Sequence, residues 1–226
     1  MRTVTRKITI ISVVFAMMAS SCKKNFLDEN PRTDLIIPNT PMALWALLDN
    51  DNLMNRGTIL GELSSDNYYI AFPYWQILSL NHERYGYVWS PDIYQGQQNV
   101  NDWSLSYTQV LHANTVLEGV KQIPPGTSSL AEKNALTGAA LFFRAYAYHN
   151  LAQIFAPVYD STSANTNLGL PIRTDPDINV HVPRHTLKQT YDSILFYLDQ
   201  AENLVNPSIL YTSMNPDSKP PLLALK

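Results

Sequence analysis

The chain has 226 residues, 45% of them hydrophobic and 15% charged, with a net charge of −3. That composition belongs to a globular protein and excludes an intrinsically disordered one. No basic patch is visible, which argues against nucleic acid as a partner. A single cysteine, Cys22, excludes a disulfide framework and a cysteine-built zinc site.

The first segment, "MRTVTRK", is positively charged and has no acid. The uncharged run Ile8 to Ala19 follows, then the small residues Ser20 and Ser21. This is the layout of a secretory signal. The run is too short for a transmembrane helix, which needs roughly 20 residues. "Ala19-Ser20-Ser21-Cys22" resembles a bacterial lipobox, in which the chain is cut just before a lipidated cysteine. The resemblance implies a signal peptide over 1–21 and acyl chains on Cys22. More than one acyl chain gives stable membrane anchoring. Residues 22–39 then read as a tether, and 40–226 as the folded body.

Thr40 followed by Pro41 is an N-cap with proline at the first helical position, so a short helix is predicted over "MALWALLDN". A long helix is predicted from Asn99 to Ile123. Its apolar stripe is Trp103, Tyr107, Val110, Leu111, Asn114, Leu117 and Val120, and Pro124 and Pro125 stop it. The next helix opens on a capping box, Ser129 with Glu132, and ends at Pro157. Ala131, Ala135, Gly138, Ala139, Phe142, Ala145 and Ala152 give it a small-residue face that admits a close neighbour. The short connection makes these two helices an antiparallel hairpin. A loop rich in Asn, Asp, Thr and Pro follows. A last long helix opens at Thr186 with a capping box to Gln189. Its stripe runs through Leu187, Tyr191, Ile194, Leu195, Leu198, Ala201 and Val205, and Pro207 closes it.

Five stretches, in order, carry a family resemblance. They are Cys22 with Phe26-Leu27-Asp28 and Pro31; "LGELSSDNYYI" after "LLDN"; the helix holding Phe143, Arg144, Ala145, Tyr146 and Tyr148; "LGLPIRTDPD"; and the segment with Arg184, Thr186, Tyr191 and Ile194. Together they resemble the SusD/RagB lipoproteins. The resemblance implies a mainly α fold of tetratricopeptide-like helical hairpins with long irregular insertions. Trp103-x3-Tyr107, paired with an alanine-rich second helix, fits that framework. It also implies that the chain is the N-terminal part of a longer protein, stopping inside a helix that begins near Pro220. A helix cut there leaves apolar surface uncovered and the product aggregation-prone.

Family members are not enzymes; they bind glycans or other nutrients and serve a TonB-dependent transporter. The implied partners are therefore a SusC-like TonB-dependent transporter, an oligosaccharide or peptide ligand, and the outer membrane through a lipid anchor. No cofactor and no metal is implied. Sugar recognition needs flat apolar rings, with amides, carboxylates or arginine for the hydroxyls. The window Tyr68 to Tyr94 holds nine aromatics in 27 residues, against 11% for the whole chain. From it and its edge come the candidate ligand residues Asp66, Asn67, Tyr74, Trp75 and Arg84. Pro73 favours an extended, loop-like chain at Tyr74 and Trp75. The competing reading makes these rings packing residues of an irregular segment. Another alternative is a scaffold that docks a transporter without a ligand site of its own. Catalytic patterns are weak. His181 and His185 stand four apart, but Pro183 between them argues against a regular helix and a metal site. Acid–base pairs of Glu62 or Asp66 with "NHER" are of a kind that any chain with 19 acidic residues offers.

Overall fold

Thr40 is extended, and its side-chain oxygen accepts a hydrogen bond from the Ala43 N–H, which opens α1, Pro41–Leu48. The computed structural model describes residues 37–96 and 101–204. The chain then runs through α2 (Asp51–Met54), α3 (Ile59–Leu63), α4 (Phe72–Gln76) and α5 (Asn81–Tyr87). Three long helices follow: α6 (Asn101–Gln122), α7 (Leu130–Phe155) and α8 (Leu187–Leu204). Among the described residues there is no strand, only an isolated antiparallel bridge between Leu168 and Thr186. The mainly α, tetratricopeptide-like architecture read from the sequence is the one observed. Several expectations lie outside the described residues: the signal peptide, lipidation of Cys22, the tether before residue 37, the helix start at Asn99, the stop at Pro207 and the interrupted helix near Pro220.

The long helices form an antiparallel stack with α7 in the middle. Going up α6 means going down α7: Trp103 meets Phe155, Tyr107 meets Tyr148, Asn114 meets Arg144, and the Ile123 carbonyl meets Lys133. On the other side Tyr197 of α8 meets Tyr148, and Tyr191 meets Gln153. A helix flanked on both sides must bury almost its whole circumference. From Ala135 to Tyr148 only Thr137 and Tyr146 are not fully buried. The small residues Ala135, Gly138, Ala139, Ala145 and Ala152 are buried as expected, while Ala131 in the first turn is exposed. Gly119 of α6 serves the same end, because a Cβ there would overlap the Pro38 carbonyl and the Leu44 side chain of the α1 region.

The two capping boxes differ. At α8 the box is complete: the Gln189 N–H donates to Thr186 Oγ1 (3.1 Å) and the Thr186 N–H to Gln189 Oε1 (3.0 Å). At α7 only half forms. The Glu132 N–H donates to Ser129 Oγ, but the Glu132 carboxylate turns to the Ser128 hydroxyl at 2.7 Å.

The predicted stripe of α6 needs correction. Its fully buried positions are Asp102, Ser106, Gln109, Val110, Ala113, Asn114, Val116 and Gly119. Trp103, Tyr107, Leu117 and Val120 sit half-buried at the edges. The face is rotated because polar side chains on it bind backbone of the irregular segments. Asp102 accepts from the N–H groups of Ile59 (3.0 Å) and Leu60 (2.9 Å) at the start of α3. Gln109 donates to the carbonyls of Leu53 (2.7 Å) and Arg56 (2.8 Å). In α8 the expected stripe also shifts: Thr190 and Tyr197 are buried, while Leu195 is exposed.

Candidate functional site

Between α3 and the end of α5 the chain makes short helices and turns instead of a core. Pro73 lies in the first turn of α4, where the missing N–H leaves nothing unsatisfied. Tyr74 and Trp75 are therefore on a helical turn, and the extended conformation expected there is not observed. Trp75 stacks on Phe72, with centroids 5.8 Å apart and planes 16° from parallel. Its indole N–H donates to the Arg84 carbonyl at 3.0 Å, which joins α4 to α5. The Arg84 guanidinium donates to Asn81 Oδ1 at 2.7 Å, and its Nε is buried with no partner. The structure thus brings Trp75 and Arg84 together, with Tyr74 beside them on the same short helix. Asp66 and Asn67 are exposed in the turn after α3, where Asn67 Oδ1 accepts from the Ser65 hydroxyl. No hydrogen bond joins that turn to Trp75 or Arg84 among the described residues.

The residue that the sequence did not single out is Trp89. Helix α5 ends in a Schellman motif. The Ser90 N–H donates to the Tyr85 carbonyl (2.9 Å) and the Trp89 N–H to the Gly86 carbonyl (3.1 Å). The turn needs a left-handed residue, and glycine usually fills it. Here it is Trp89, at φ 53. A bulky side chain in that conformation costs on the order of 1–3 kcal/mol. Its ring is nevertheless not buried: Trp89 is 71% exposed, and its indole N–H donates to the Ser64 carbonyl at 2.8 Å. In the same stretch of chain Tyr69 (81%), Tyr74 (67%) and Phe72 (60%) are also exposed. The strained backbone thus carries a ring that is tied by its one polar atom and turned to solvent. The signal that could have found it is the absence of glycine after "NHERYGYV", where helix α5 has to stop.

A second concave feature lies elsewhere. The segment between α7 and α8 is closed at its base, where the Gly169 N–H donates to the His185 carbonyl and the His185 N–H to the Leu170 carbonyl. Arg184 Nε donates to the Gly169 carbonyl, at 2.6 Å. The loop is then held against the stack. Tyr107 donates to the Pro171 carbonyl (2.9 Å), and Asn114 to the carbonyls of Arg173 (3.1 Å) and Asp175 (3.4 Å). The Tyr148 hydroxyl accepts from the Arg173 N–H and donates to the Arg173 carbonyl. Burial pushes the phenols of Tyr107 and Tyr148 well above the ordinary value, so both keep the proton that each donates. Between α6 and this loop is a cavity of about 470 Å³. It contains none of Asp66, Asn67, Tyr74, Trp75 or Arg84. His181 and His185 lie in this non-helical segment, and no cluster of three or more metal-ligating side chains occurs among the described residues.

The family model described as "Starch-binding associating with outer membrane" matches residues 25–219. The chain belongs to the SusD-like family. Solved structures agree in fold. A putative sugar binding protein from Bacteroides vulgatus superposes with TM-score 0.56 at 20% identity, over 73% of this chain and 35% of that one. A SusD superfamily protein from Bacteroides thetaiotaomicron gives TM-score 0.51 at 17% identity, over 74% and 38%. A SusD-like carbohydrate binding protein from Bacteroides vulgatus gives 0.52 at 17%, over 75% and 37%. The SusD-like chain thus spans little more than a third of these structures. No curated protein matches it. No helix among its described residues is long and apolar enough to cross a membrane.

Proposed function

We propose that this SusD-like chain captures glycan at the cell surface through the α3–α5 segment and passes it to a SusC-like TonB-dependent transporter of the outer membrane. The family description, starch-binding and associating with the outer membrane, supports the reading. So do structural relatives described as sugar-binding or carbohydrate-binding proteins. The observation that carries it is Trp89, an exposed indole kept in a left-handed backbone where glycine would be relaxed. Strain of this kind persists where a side chain has a use.

In this reading Trp89, Tyr74 and the Phe72–Trp75 stack offer apolar faces to the C–H surfaces of pyranose rings. Asp66 and Asn67 accept from hydroxyls, and Arg84 donates to ring or hydroxyl oxygens. The work is binding without bond cleavage. Acyl chains on Cys22 hold the protein to the membrane, and the tether ends before Ile37 and Pro38, which pack at Gly119 of α6.

Titration calorimetry against starch, xylan and mannan fragments tests the ligand class, with chromatography of the same mixtures to detect cleavage. Saturable binding with intact glycan is expected. Shortened chains would replace binding by catalysis, and silence toward every glycan together with co-purification of a transporter would favour the scaffold. Mass spectrometry of the membrane-extracted N-terminus is expected to find acylated Cys22, and an unmodified cysteine would remove the anchor.

A further inference from the structure

The cavity between α6 and the 171–182 loop is separate from the aromatic segment, and its lining combines apolar and unpaired polar groups. Trp103 forms part of its wall, half-buried, its ring braced edge-on by Phe155 at 5.1 Å. The exposed side chains of Ile178 and Val180 face the same space. Polar groups here divide into two sets. One set is spent on the loop itself: Arg173 donates from its two terminal nitrogens to the carbonyls of Val180 (2.9 Å) and Asp177 (2.7 Å). The other set has no partner among the described residues. It comprises the Trp103 indole N–H, the His181 imidazole, the second carboxylate oxygen of Asp175 and the side-chain carbonyl of Asn179.

That division selects a ligand. An anion would find Arg173 already occupied and would face the carboxylate of Asp175. A wholly apolar ligand would leave several polar groups dry and unpaired. A neutral, polyhydroxylated ring satisfies both halves, with its C–H face on Trp103 and Val180 and its hydroxyls toward Asp175, Asn179 and His181. The volume, about 470 Å³, lies inside the range of roughly 300–1,000 Å³ usual for small-ligand sites.

We infer that this groove is a second glycan site, taking a neutral pyranose unit between α6 and the 171–182 loop, independent of the Trp89 platform. It shares with the proposed function only the class of ligand. Four tryptophans, Trp45, Trp75, Trp89 and Trp103, make the two sites separable. In 15N-labelled protein each indole N–H gives its own resonance, with Trp45 against the core as the reference.

The probes are maltohexaose, xylohexaose and mannohexaose. The Trp103 resonance is expected to shift saturably with at least one of them. The variant carrying Asn179→Ala and His181→Ala, both at exposed positions, is expected to weaken that curve about tenfold, the loss of one or two hydrogen bonds. Its Trp75 and Trp89 curves are expected to stay unchanged. A Trp103 signal that no probe moves, or that moves equally in the variant, overturns the groove site. In that case a response of Trp75 and Trp89 leaves the platform standing. The reverse pattern, Trp103 responding alone, removes the platform and keeps the groove.

Discussion

The three-helix stack and the α3–α5 segment treat their difficult residues in opposite ways. In the stack, groups that dislike burial are buried and tied to a partner through at least one atom, although Arg144 Nε and Gln109 Oε1 find none among the described residues. Arg144 is buried, lies 3.9 Å over the Tyr197 ring, and donates to Asn114 Oδ1 at 3.1 Å. Desolvation lowers its pKa from the usual guanidinium range. In the α3–α5 segment, rings that favour burial are left in water, one of them on a strained backbone. Polar groups inside serve architecture, since they fix loops to helices. Apolar rings outside are only partly used in packing, and it is this surface that the proposed function assigns to contact.

The comparison breaks most visibly at Asn114. Its amide nitrogen donates to two loop carbonyls and its oxygen accepts from Arg144. Asn114→Ala leaves a buried cation without its hydrogen-bond acceptor and the Asp175 carbonyl without its donor, while the Arg173 carbonyl keeps Tyr148, and is expected to cost about 3 kcal/mol in urea denaturation. Arg144→Met, which removes the charge itself, is expected to stay within about 1 kcal/mol of the parent. Equal losses in the two variants would mean that Arg144 contributes by its charge and not merely by its fit.

This buried polar layer was the part least legible in the sequence. Helix positions, proline stops and caps follow from local chemistry, and α1, α6, α7 and α8 lie where periodicity puts them. Periodicity assumes that a helix buries its apolar face, so it placed Trp103 and Tyr107 on the buried stripe of α6. It set Asn114 on the buried face but could not weigh Asp102 and Gln109, whose partners are backbone groups far along the chain. The candidate site was legible in part. A run dense in aromatics pointed to the α3–α5 segment and to Trp75 beside Arg84. The strain at Trp89 depends on where α5 ends, and helix ends are the least certain reading of a sequence.

A smaller loss is expected at Tyr148. Tyr148→Phe keeps the ring but removes a hydroxyl bonded to both the N–H and the carbonyl of Arg173, for about 1–2 kcal/mol. It also carries a pH signature. Burial raises the Tyr148 phenol above its unfolded value of 10.0, so the unfolded chain loses that proton first as pH rises. The stability it contributes is fully present below pH 10.0 and declines above it. Denaturation midpoints at pH of about 8 and about 11 should therefore fall less in the variant than in the parent. An unchanged alkaline loss would assign it to other groups, among them Tyr107.

The smallest effect on stability is expected where the effect on binding is large. Trp89→Gly relaxes a left-handed residue, a gain on the order of 1–2 kcal/mol. It forfeits the exposed hydrogen bond from the indole to Ser64, worth about 1 kcal/mol, and frees an unfolded chain that glycine makes more flexible. These terms oppose each other, and the net change is expected to stay within about 1 kcal/mol. If the proposed function holds, glycan affinity at the platform falls at least about tenfold, because in that reading the lost ring is a contact surface. A packing residue gives the opposite pattern, a clear drop in the denaturation midpoint with affinity unchanged. The Schellman turn makes this a clean test, since glycine preserves the backbone geometry that presents the ring and removes only what is presented.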